Sequence, residues 1–358
     1  MAFPEFDPRK RKLLFFSRGR GRGHAVPDVE IVRELLKLRD DVDVRFVSYG
    51  TGAAAIGELG FSVIDLDLPD DNGFADTLVL AGKVIGWLGP DLVVAHEEFA
   101  ALPAAKIFGR ETLFLTDWFI EAGDLRMDLL RFANQILFLD DRGIYEEPPC
   151  VQERVEYLGP IVRAFQYGRQ DRARAREELG IPQDAFVAGI FPGSHPEQRE
   201  PIIDLVLEAV SRLPQARLHW VGGPDVDLMH QLAAKHENLH FCPLSRQIDR
   251  DYVACDVAIT KANRKSVLEL EVLGIRSVSL THRYNRIDDR RAATFQNTKL
   301  LDAKTTTPEE LASLLLSQAA ASPVPSTIQP GAAAITAAAR IAQRMDAGIK
   351  AAAASQDR

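Results

Sequence analysis

Short apolar runs alternate with helical periodicity along most of this chain, and this alternation constrains its fold more than any other feature. The first series begins with a buried-strand pattern at residues 13–16 and a helical pattern at 27–38, and it ends with a strand at 155–158. Strands separated by helices predict a parallel sheet that is covered by helices on both faces. This part of the sequence therefore predicts a doubly wound α/β domain.

The same pattern starts again after a polar stretch at residues 161–170. Strands are predicted at 186–191, 217–221, 256–260 and 276–280, and helices at 198–213, 226–236, 265–273 and 308–317. A chain of 358 residues is too long for one ordinary core and suits two domains. We predict tandem domains at residues 1–162 and 163–320, and a Pro/Ala-rich connector with a C-terminal helix at 321–358 that packs back on the first domain.

Charge and cysteine content exclude several classes of protein. The net charge is −8, and an acidic chain lacks the basic surface of a general nucleic-acid binder. Cys150, Cys242 and Cys255 are odd in number and lack metal-ligand spacing, which predicts a reducing compartment. No apolar run approaches the ~20 residues that cross a bilayer. We expect a soluble, cytoplasmic protein with no nucleic-acid partner and no transmembrane segment.

A glycine-rich loop joins the first strand to the first helix, and it ends in Arg18-Gly19-Arg20-Gly21-Arg22-Gly23-His24. Alternating glycines permit a tight turn, and the helix N-terminus favours an anion. A dinucleotide-binding fingerprint fits badly, because the third glycine comes too early and a histidine follows it. We expect the loop to admit a charged substrate, with His24 as a general base or a stabiliser of developing charge. The other interpretation of His24 is a residue that merely caps the helix.

Strand ends in the second half carry glycines or basic residues, which is typical of phosphate-binding turns. The predicted donor contacts at these turns are Gly193, Ser194, Gly222, Lys261, Asn263, Arg264 and Lys265. Basic side chains at the start of a helix suit a diphosphate. Glu269 lies about one turn into that helix, where its carboxylate could accept both hydroxyls of a ribose. A solvated surface glutamate is the other interpretation.

The loop at residues 18–27 resembles the Gly-Gly-His-to-Pro loop of family 28 glycosyltransferases, and residues 256–275 resemble that family's nucleotide-sugar signature. The two segments occur in the family's order within residues 13–320. The resemblance implies the GT-B fold, in which two Rossmann-like domains face each other across a cleft. It also implies transfer of a sugar, without metal, from a nucleotide-diphosphate donor to an acceptor hydroxyl. A UDP-sugar is favoured as donor, and because it is a substrate no cofactor is expected.

The resemblance also assigns roles to single residues. His24 matches the family's histidine near the reacting sugar, Glu269 matches the glutamate that holds the ribose, and Leu244 lies where the family's backbone reads the base. Asp117 follows the fifth strand, where relatives carry acceptor-side or histidine-orienting groups, so His24 and Asp117 are the predicted catalytic pair. The predicted acceptor side comprises Arg18, Gly21, Gly23, His96 and Glu97.

Several alternatives remain at this point. The chain has Ala262-Asn263 where the family usually has Ser-Gly, and Arg264-Lys265 replace small residues. The sequence does not specify the acceptor, which could be a small molecule or a glycan. A lipid acceptor is not indicated, because the first domain shows no exposed apolar stretch flanked by lysines. A nucleotide-sugar hydrolase or epimerase on the same fold is the second hypothesis. A non-catalytic nucleotide-sugar-binding protein is the third.

Overall fold

A computed structural model of the chain describes residues 5–119, 124–192, 196–213, 216–222, 231–232, 234–242, 247–261, 264–281 and 290–356. It divides into two compact units. The first comprises Met1–Arg163 and Pro330–Arg358, and the second comprises Ala164–Gln329. Each unit contains one parallel sheet with helices between its strands, which confirms the predicted α/β class and the tandem doubly wound domains.

The described part of the first unit is built on seven parallel strands. They are β1 Arg11–Ser17, β2 Val42–Ser48, β3 Val63–Asp65, β4 Leu92–His96, β5 Glu111–Thr116, β6 Gln135–Phe138 and β7 Val155–Tyr157, in the order β3-β2-β1-β4-β5-β6-β7. Ser17 is in register with His96 at the carboxyl ends of β1 and β4. The strand order reverses between these two strands, and in doubly wound sheets a ligand crevice opens at that point.

Helices cover this sheet and continue the chain's strand–helix alternation. They are α1 Ala25–Leu38, α2 Gly50–Glu58, α3 Phe74–Leu88, α4 Ala101–Ile107 and α5 Leu125–Leu129, with short 3-10 turns at Leu130–Phe132 and Gln152–Arg154. The C-terminal helix, Ala332–Gln356, packs against α1 in the same unit. Its fully buried Ala337 and Ala338 join Val32 and Leu35 of α1 in one core, because alanine side chains let two helices approach closely.

The second unit repeats the plan, with six parallel strands among its described residues. They are β8 Phe186–Phe191, β9 Ala216–Val221, β10 Leu239–Cys242, β11 Val257–Lys261, β12 Ser277–Thr281 and β13 Thr298–Asp302, in the order β10-β9-β8-β11-β12-β13. The helices are α6 Arg172–Glu178, α7 Pro196–Ser211, α8 Ile248–Ala254, α9 Arg264–Leu273 and α10 Pro308–Ala320, with a 3-10 turn at Arg169–Asp171. The order reverses between β8 and β11.

Two strands of the second sheet, β10 and β13, were not predicted from the sequence. Both lie at the edges of the sheet, where one side of a strand has no neighbour. Only Leu239 of β10 and Thr298 of β13 are buried, so neither strand shows a continuous apolar run. Most of the helix predicted at 226–236 lies outside the described residues.

The first unit exposes an apolar patch that the sequence did not predict. Trp87 at the end of α3 is 71% exposed, Ile107 at the end of α4 is 76% exposed, and Phe108 follows it. The exposed Lys83 and Lys106 lie on the same two helices, which pack together. The sequence shows no continuous lysine-flanked apolar stretch in this domain, because these exposed residues come from two separate segments. Among the described helices, none is both long and apolar enough to cross a membrane.

Candidate active site

The loop between β1 and α1 has a path that two of its glycines make possible. Gly21 has a φ of +72°, in the left-handed region that favours glycine. A Cβ added at Gly19 would lie 2.3 Å from the ring of Tyr49. The N–H of Gly21 donates to Thr51 Oγ1 at 2.8 Å and lies 3.3 Å from Asp70 Oδ2. These contacts fix the path of the loop, and the Gly21 N–H is hydrogen-bonded within the protein.

The end of the loop places His24 at the N-cap of α1. A Cβ added at Gly23 would meet nothing within 4 Å, so the third glycine is not required for space. The His24 backbone has helical dihedrals, and its side chain makes no capping hydrogen bond. The imidazole is directed instead toward the carboxyl end of β4, so the geometry does not support the interpretation of His24 as a helix cap.

Glu97, the first residue after β4, is the carboxylate partner of His24. His24 Nε2 lies 2.9 Å from Glu97 Oε2, and Arg18 Nη1 lies 3.3 Å from the same oxygen. Thr116 donates from Oγ1 to Glu97 Oε1 at 3.0 Å. Glu97 has a φ of +52°, a strained conformation for a residue other than glycine. The backbone strain and the converging contacts indicate that Glu97 orients His24.

The charge of Glu97 follows from the same neighbours. Burial alone would raise the pKa of this carboxyl, but His24, His96 and Arg18 hold the pKa well below its usual value. Glu97 is therefore ionised at neutral pH and can only accept hydrogen bonds. It follows that the Nε2 of His24 carries the proton in this pair.

The next residue, Glu98, has hydrogen-bond partners that differ from those of Glu97. Burial raises the pKa of Glu98 to about 7, although Tyr49 donates to Oε2 at 3.1 Å and the Ala100 N–H lies 3.4 Å from Oε1. The adjacent Glu97 and Glu98 therefore differ in charge state near neutral pH. Both side chains are buried, so this difference depends on the charged neighbours that the fold brings to Glu97, and it could not be predicted from the sequence.

A second histidine–carboxylate pair lies behind His24. His96 Nδ1 is 2.5 Å from Asp28 Oδ1, and both side chains are fully buried. The rings of His24 and His96 meet edge to face, with centroids 4.7 Å apart. Burial would lower the pKa of His96, but Asp28 raises it, with smaller contributions from Glu97 and Asp117. Asp117, the other predicted catalytic residue, is buried just after β5. Its negative charge is one of those that raise the pKa of His96.

His24, His96 and Glu97 also bring three donor atoms within 4.8 Å of one another, a spacing that a metal ion could use. In this structure Glu97 already has a cationic partner in Arg18 and a proton donor in His24. The contacts are those of a hydrogen-bonded network, so we do not assign these residues as metal ligands.

In the second unit, basic side chains gather where β11 leads into α9. Lys261 ends the strand and Arg264 begins the helix; both are buried, and Lys265 is half-buried. The positive end of the helix dipole lies at the same place and also favours an anion. Because the strand order reverses between β8 and β11, the end of β11 and the start of α9 lie where doubly wound sheets bind their ligands.

The remaining predicted donor contacts are only partly described. Glu269 is half-buried on α9, whereas its neighbour Glu271 is buried and accepts backbone hydrogen bonds from Gln296 and Asn297 at 3.1 and 2.8 Å. Glu271 is therefore structural, which leaves Glu269 as the candidate ribose ligand on this helix. Gly222, which follows β9, has a φ of +70°. The predicted contacts Gly193, Ser194, Leu244 and Asn263 lie outside the described residues.

No family model matches the chain, but curated relatives do. It is 26% identical, over 303 aligned residues, to the UDP-N-acetylglucosamine–N-acetylmuramyl-(pentapeptide) pyrophosphoryl-undecaprenol N-acetylglucosamine transferase of Chlorobium limicola, with 78% of this chain and 81% of the relative covered. The enzyme of the same name from Chlorobaculum tepidum is 25% identical over 313 residues, with the same coverage of both chains.

Solved structures share the fold at lower identity. The glycotransferase of kitacinnamycin matches with a TM-score of 0.64 and 18% identity over 98% of this chain and 99% of its own. HepE of Anabaena in complex with UDP-glucose matches with a TM-score of 0.61 and 16% identity over 97% and 99%. The UDP-GlcNAc 2-epimerase of Neisseria meningitidis matches with a TM-score of 0.66 and 12% identity over 93% and 99%.

The two doubly wound units and these relatives identify the chain as a glycosyltransferase of the GT-B fold. Within that class it resembles family 28, to which the sequence motifs pointed. The likeness to the epimerase shows the shared fold alone.

Proposed function

We propose that this protein transfers a sugar from a UDP-sugar to an acceptor hydroxyl without a metal ion, with His24 as general base. The observation that carries the proposal is the 2.9 Å contact between His24 and Glu97 at the carboxyl edge of β1 and β4. A base whose ring is oriented by a buried carboxylate is the usual means of activating a hydroxyl.

The protonated Nε2 leaves Nδ1 as the nitrogen that accepts the hydroxyl proton. In the described part of the chain Nδ1 is buried and has no hydrogen-bond partner. The acceptor hydroxyl therefore reaches it only after the His24 ring or the preceding loop shifts. Once His24 is doubly protonated, the carboxylate of Glu97 stabilises the imidazolium. Positioned bases of this kind contribute about 10²–10⁴-fold in rate.

The second unit would bind the nucleotide-sugar donor. Lys261, Arg264, Lys265 and the N-terminus of α9 supply positive charge for a departing diphosphate, the role that a metal ion plays in other transferases. The curated relatives, which are named as UDP-N-acetylglucosamine transferases, support a UDP-sugar, and so does the structural neighbour that was solved with UDP-glucose. Glu269 would hold the ribose.

A turnover assay tests this proposal against the other two hypotheses. The protein is incubated with a UDP-sugar alone and again with candidate acceptor alcohols and glycans, and UDP release is followed. Release that requires an acceptor supports transfer. Release without an acceptor, or conversion to an isomeric UDP-sugar, indicates a hydrolase or an epimerase, and binding without turnover indicates a binding protein. Thermal shifts with UDP, dTDP, GDP and ADP identify the base, because a bound nucleotide stabilises the fold.

We also place this reaction in the cytoplasm. The three cysteines are all unpaired, which is typical of a reducing compartment. The acceptor would then be a molecule that is available on the cytoplasmic side. Labelling of the cysteines in intact and permeabilised cells tests this location, and equal labelling by a membrane-impermeant reagent in both would contradict it.

A further inference from the structure

A second cluster, formed by His219 in β9, Cys242 at the end of β10 and Asp251 in α8, plays no part in the proposed transfer reaction. His219 Nε2 lies 2.8 Å from Asp251 Oδ1, and His219 Nδ1 lies 3.6 Å from Cys242 Sγ. His219 and Asp251 are each 1% exposed, whereas Cys242 is half-buried. One imidazole thus bridges a buried carboxylate and a more accessible thiol.

The electrostatics of His219 agree with this geometry. Burial would lower the pKa of the imidazole, but hydrogen bonds to Asp251 and Cys242 raise it to about 9. The carboxylate of Asp251 fixes the orientation of the ring and compensates a positive charge on it. His219 is therefore equipped to accept and hold a proton next to the sulfur.

We propose that Cys242 is a reactive thiol, activated by His219 and oriented through Asp251, and that hydroperoxides and alkylating electrophiles modify it. A nucleophile within reach of a base, with the base held by a third group, is the arrangement that activates side chains for attack. This inference goes beyond the proposed transferase activity and does not depend on it.

The oxidation step balances with a hydroperoxide as the oxidant. In the reactive form of the pair His219 Nδ1 holds the proton that the thiol has given up, and the thiolate sulfur attacks the terminal oxygen of the peroxide. The S–O bond forms as the O–O bond breaks, so sulfur loses two electrons and the peroxide gains them. The leaving alkoxide takes the proton from His219, giving a sulfenic acid on Cys242 and one molecule of alcohol.

The chain contains its own controls, because its other two cysteines have different surroundings. Cys150 is exposed, and its Sγ lies 3.7 Å from the carbonyl oxygen of Met127. Cys255 is buried, its Sγ donates to the Asp251 carbonyl at 3.1 Å, and burial raises the pKa of its thiol. Exposure alone therefore predicts that Cys150 reacts first, whereas the His219 contact predicts that Cys242 does.

A short pulse of iodoacetamide at pH 7, followed by mass spectrometry of the cysteine peptides, decides between these orders in the unaltered protein. We expect Cys242 to be alkylated roughly tenfold faster than Cys150, and Cys255 to stay unlabelled. Equal labelling, or faster labelling of Cys150, overturns the proposal. In His219→Gln the rate at Cys242 should fall to that of Cys150 or below, while the rate at Cys150 stays unchanged.

A second measurement does not require replacing a buried residue. The protein is treated with hydrogen peroxide and then with dimedone, which captures sulfenic acids. We expect the adduct on Cys242 and its loss in Cys242→Ser, a conservative change at a half-buried position. An adduct on Cys150 in place of Cys242, or no adduct on Cys242, refutes the assignment.

Discussion

Replacing Glu98 with glutamine should make the protein more stable at alkaline pH and leave its stability nearly unchanged in acid. Burial favours the protonated form of Glu98 and raises its pKa to about 7, from a usual value of 4.5. Glutamine has the shape of protonated glutamic acid and can still accept the hydrogen bond from the Ala100 N–H. The substitution therefore removes only the cost of ionising a buried carboxyl.

The sign and size of the effect follow from the pKa in the two states. Below pH 4.5 Glu98 is protonated in both the folded and unfolded chain, so its pKa shift leaves stability unaffected. As the pH rises through 4.5 the unfolded chain ionises first, and the folded state loses stability until the pH has passed 7. Each pKa unit corresponds to about 1.4 kcal/mol, so the loss amounts to roughly 3 kcal/mol. Glu98→Gln should recover that amount at pH 8.

Hydrogen exchange of the peptides that cover β1 and β4 is the suitable assay, because it reports on the first unit without assuming a single unfolding transition. Wild type and Glu98→Gln are compared at pH 5 and pH 8. Glu97→Gln is the matched control with the opposite sign. It removes a charge that His24 and Arg18 stabilise, so it should destabilise at neutral pH and matter less as the pH falls through the depressed pKa of Glu97. A Glu98→Gln effect that does not grow with pH would refute the reasoning.

Four further predictions test the proposed reaction and its scaffold. His24→Ala should lower kcat by about 10²–10⁴-fold while the Kd for UDP stays unchanged, as measured on one preparation; turnover within a few-fold of wild type would reduce His24 to a turn residue. Glu269→Ala should weaken UDP binding by roughly 1.5–3 kcal/mol in calorimetry, and an unchanged Kd would remove it from the site. EDTA should leave turnover intact, and full loss restored by magnesium or manganese would overturn the metal-free mechanism. Gly19→Ala should lower the melting temperature and activity because of Tyr49, whereas Gly23→Ala should be tolerated; equal effects of the two would contradict the loop geometry.

The sequence predicted most of the fold because parallel strands in doubly wound sheets are buried on both faces. Their apolar runs, such as residues 13–16 and 92–94, are visible without any knowledge of their neighbours. The edge strands β10 and β13 escaped prediction because their partial burial breaks that pattern. The apolar patch around Trp87 also escaped prediction, since its residues come from two helices.

From the sequence, only those features of the site could be predicted that depend on residues close to one another along the chain. The glycine loop pointed to His24, and the strand-end position pointed to His96 and Glu97. Which carboxylate meets the imidazole depends on strand order, and β4, which ends next to Glu97, is the neighbour of β1. A single sequence does not contain that order, so Glu97 was predicted on the acceptor side but not as the hydrogen-bond partner of His24.

Each unit contains fixed charges that suit the proposed metal-free reaction. In the first unit the ionised Glu97 is compensated by Arg18 and His24, so a proton taken from a hydroxyl enters a site that already holds a negative charge to stabilise it. In the second unit Lys261 and Arg264 lie at the positive end of α9, where a diphosphate would develop charge on departure. Fixed charges of this kind need no reorganisation during the reaction. In the proposed reaction, the charge that builds up at each reacting group would therefore meet its opposite within the same unit.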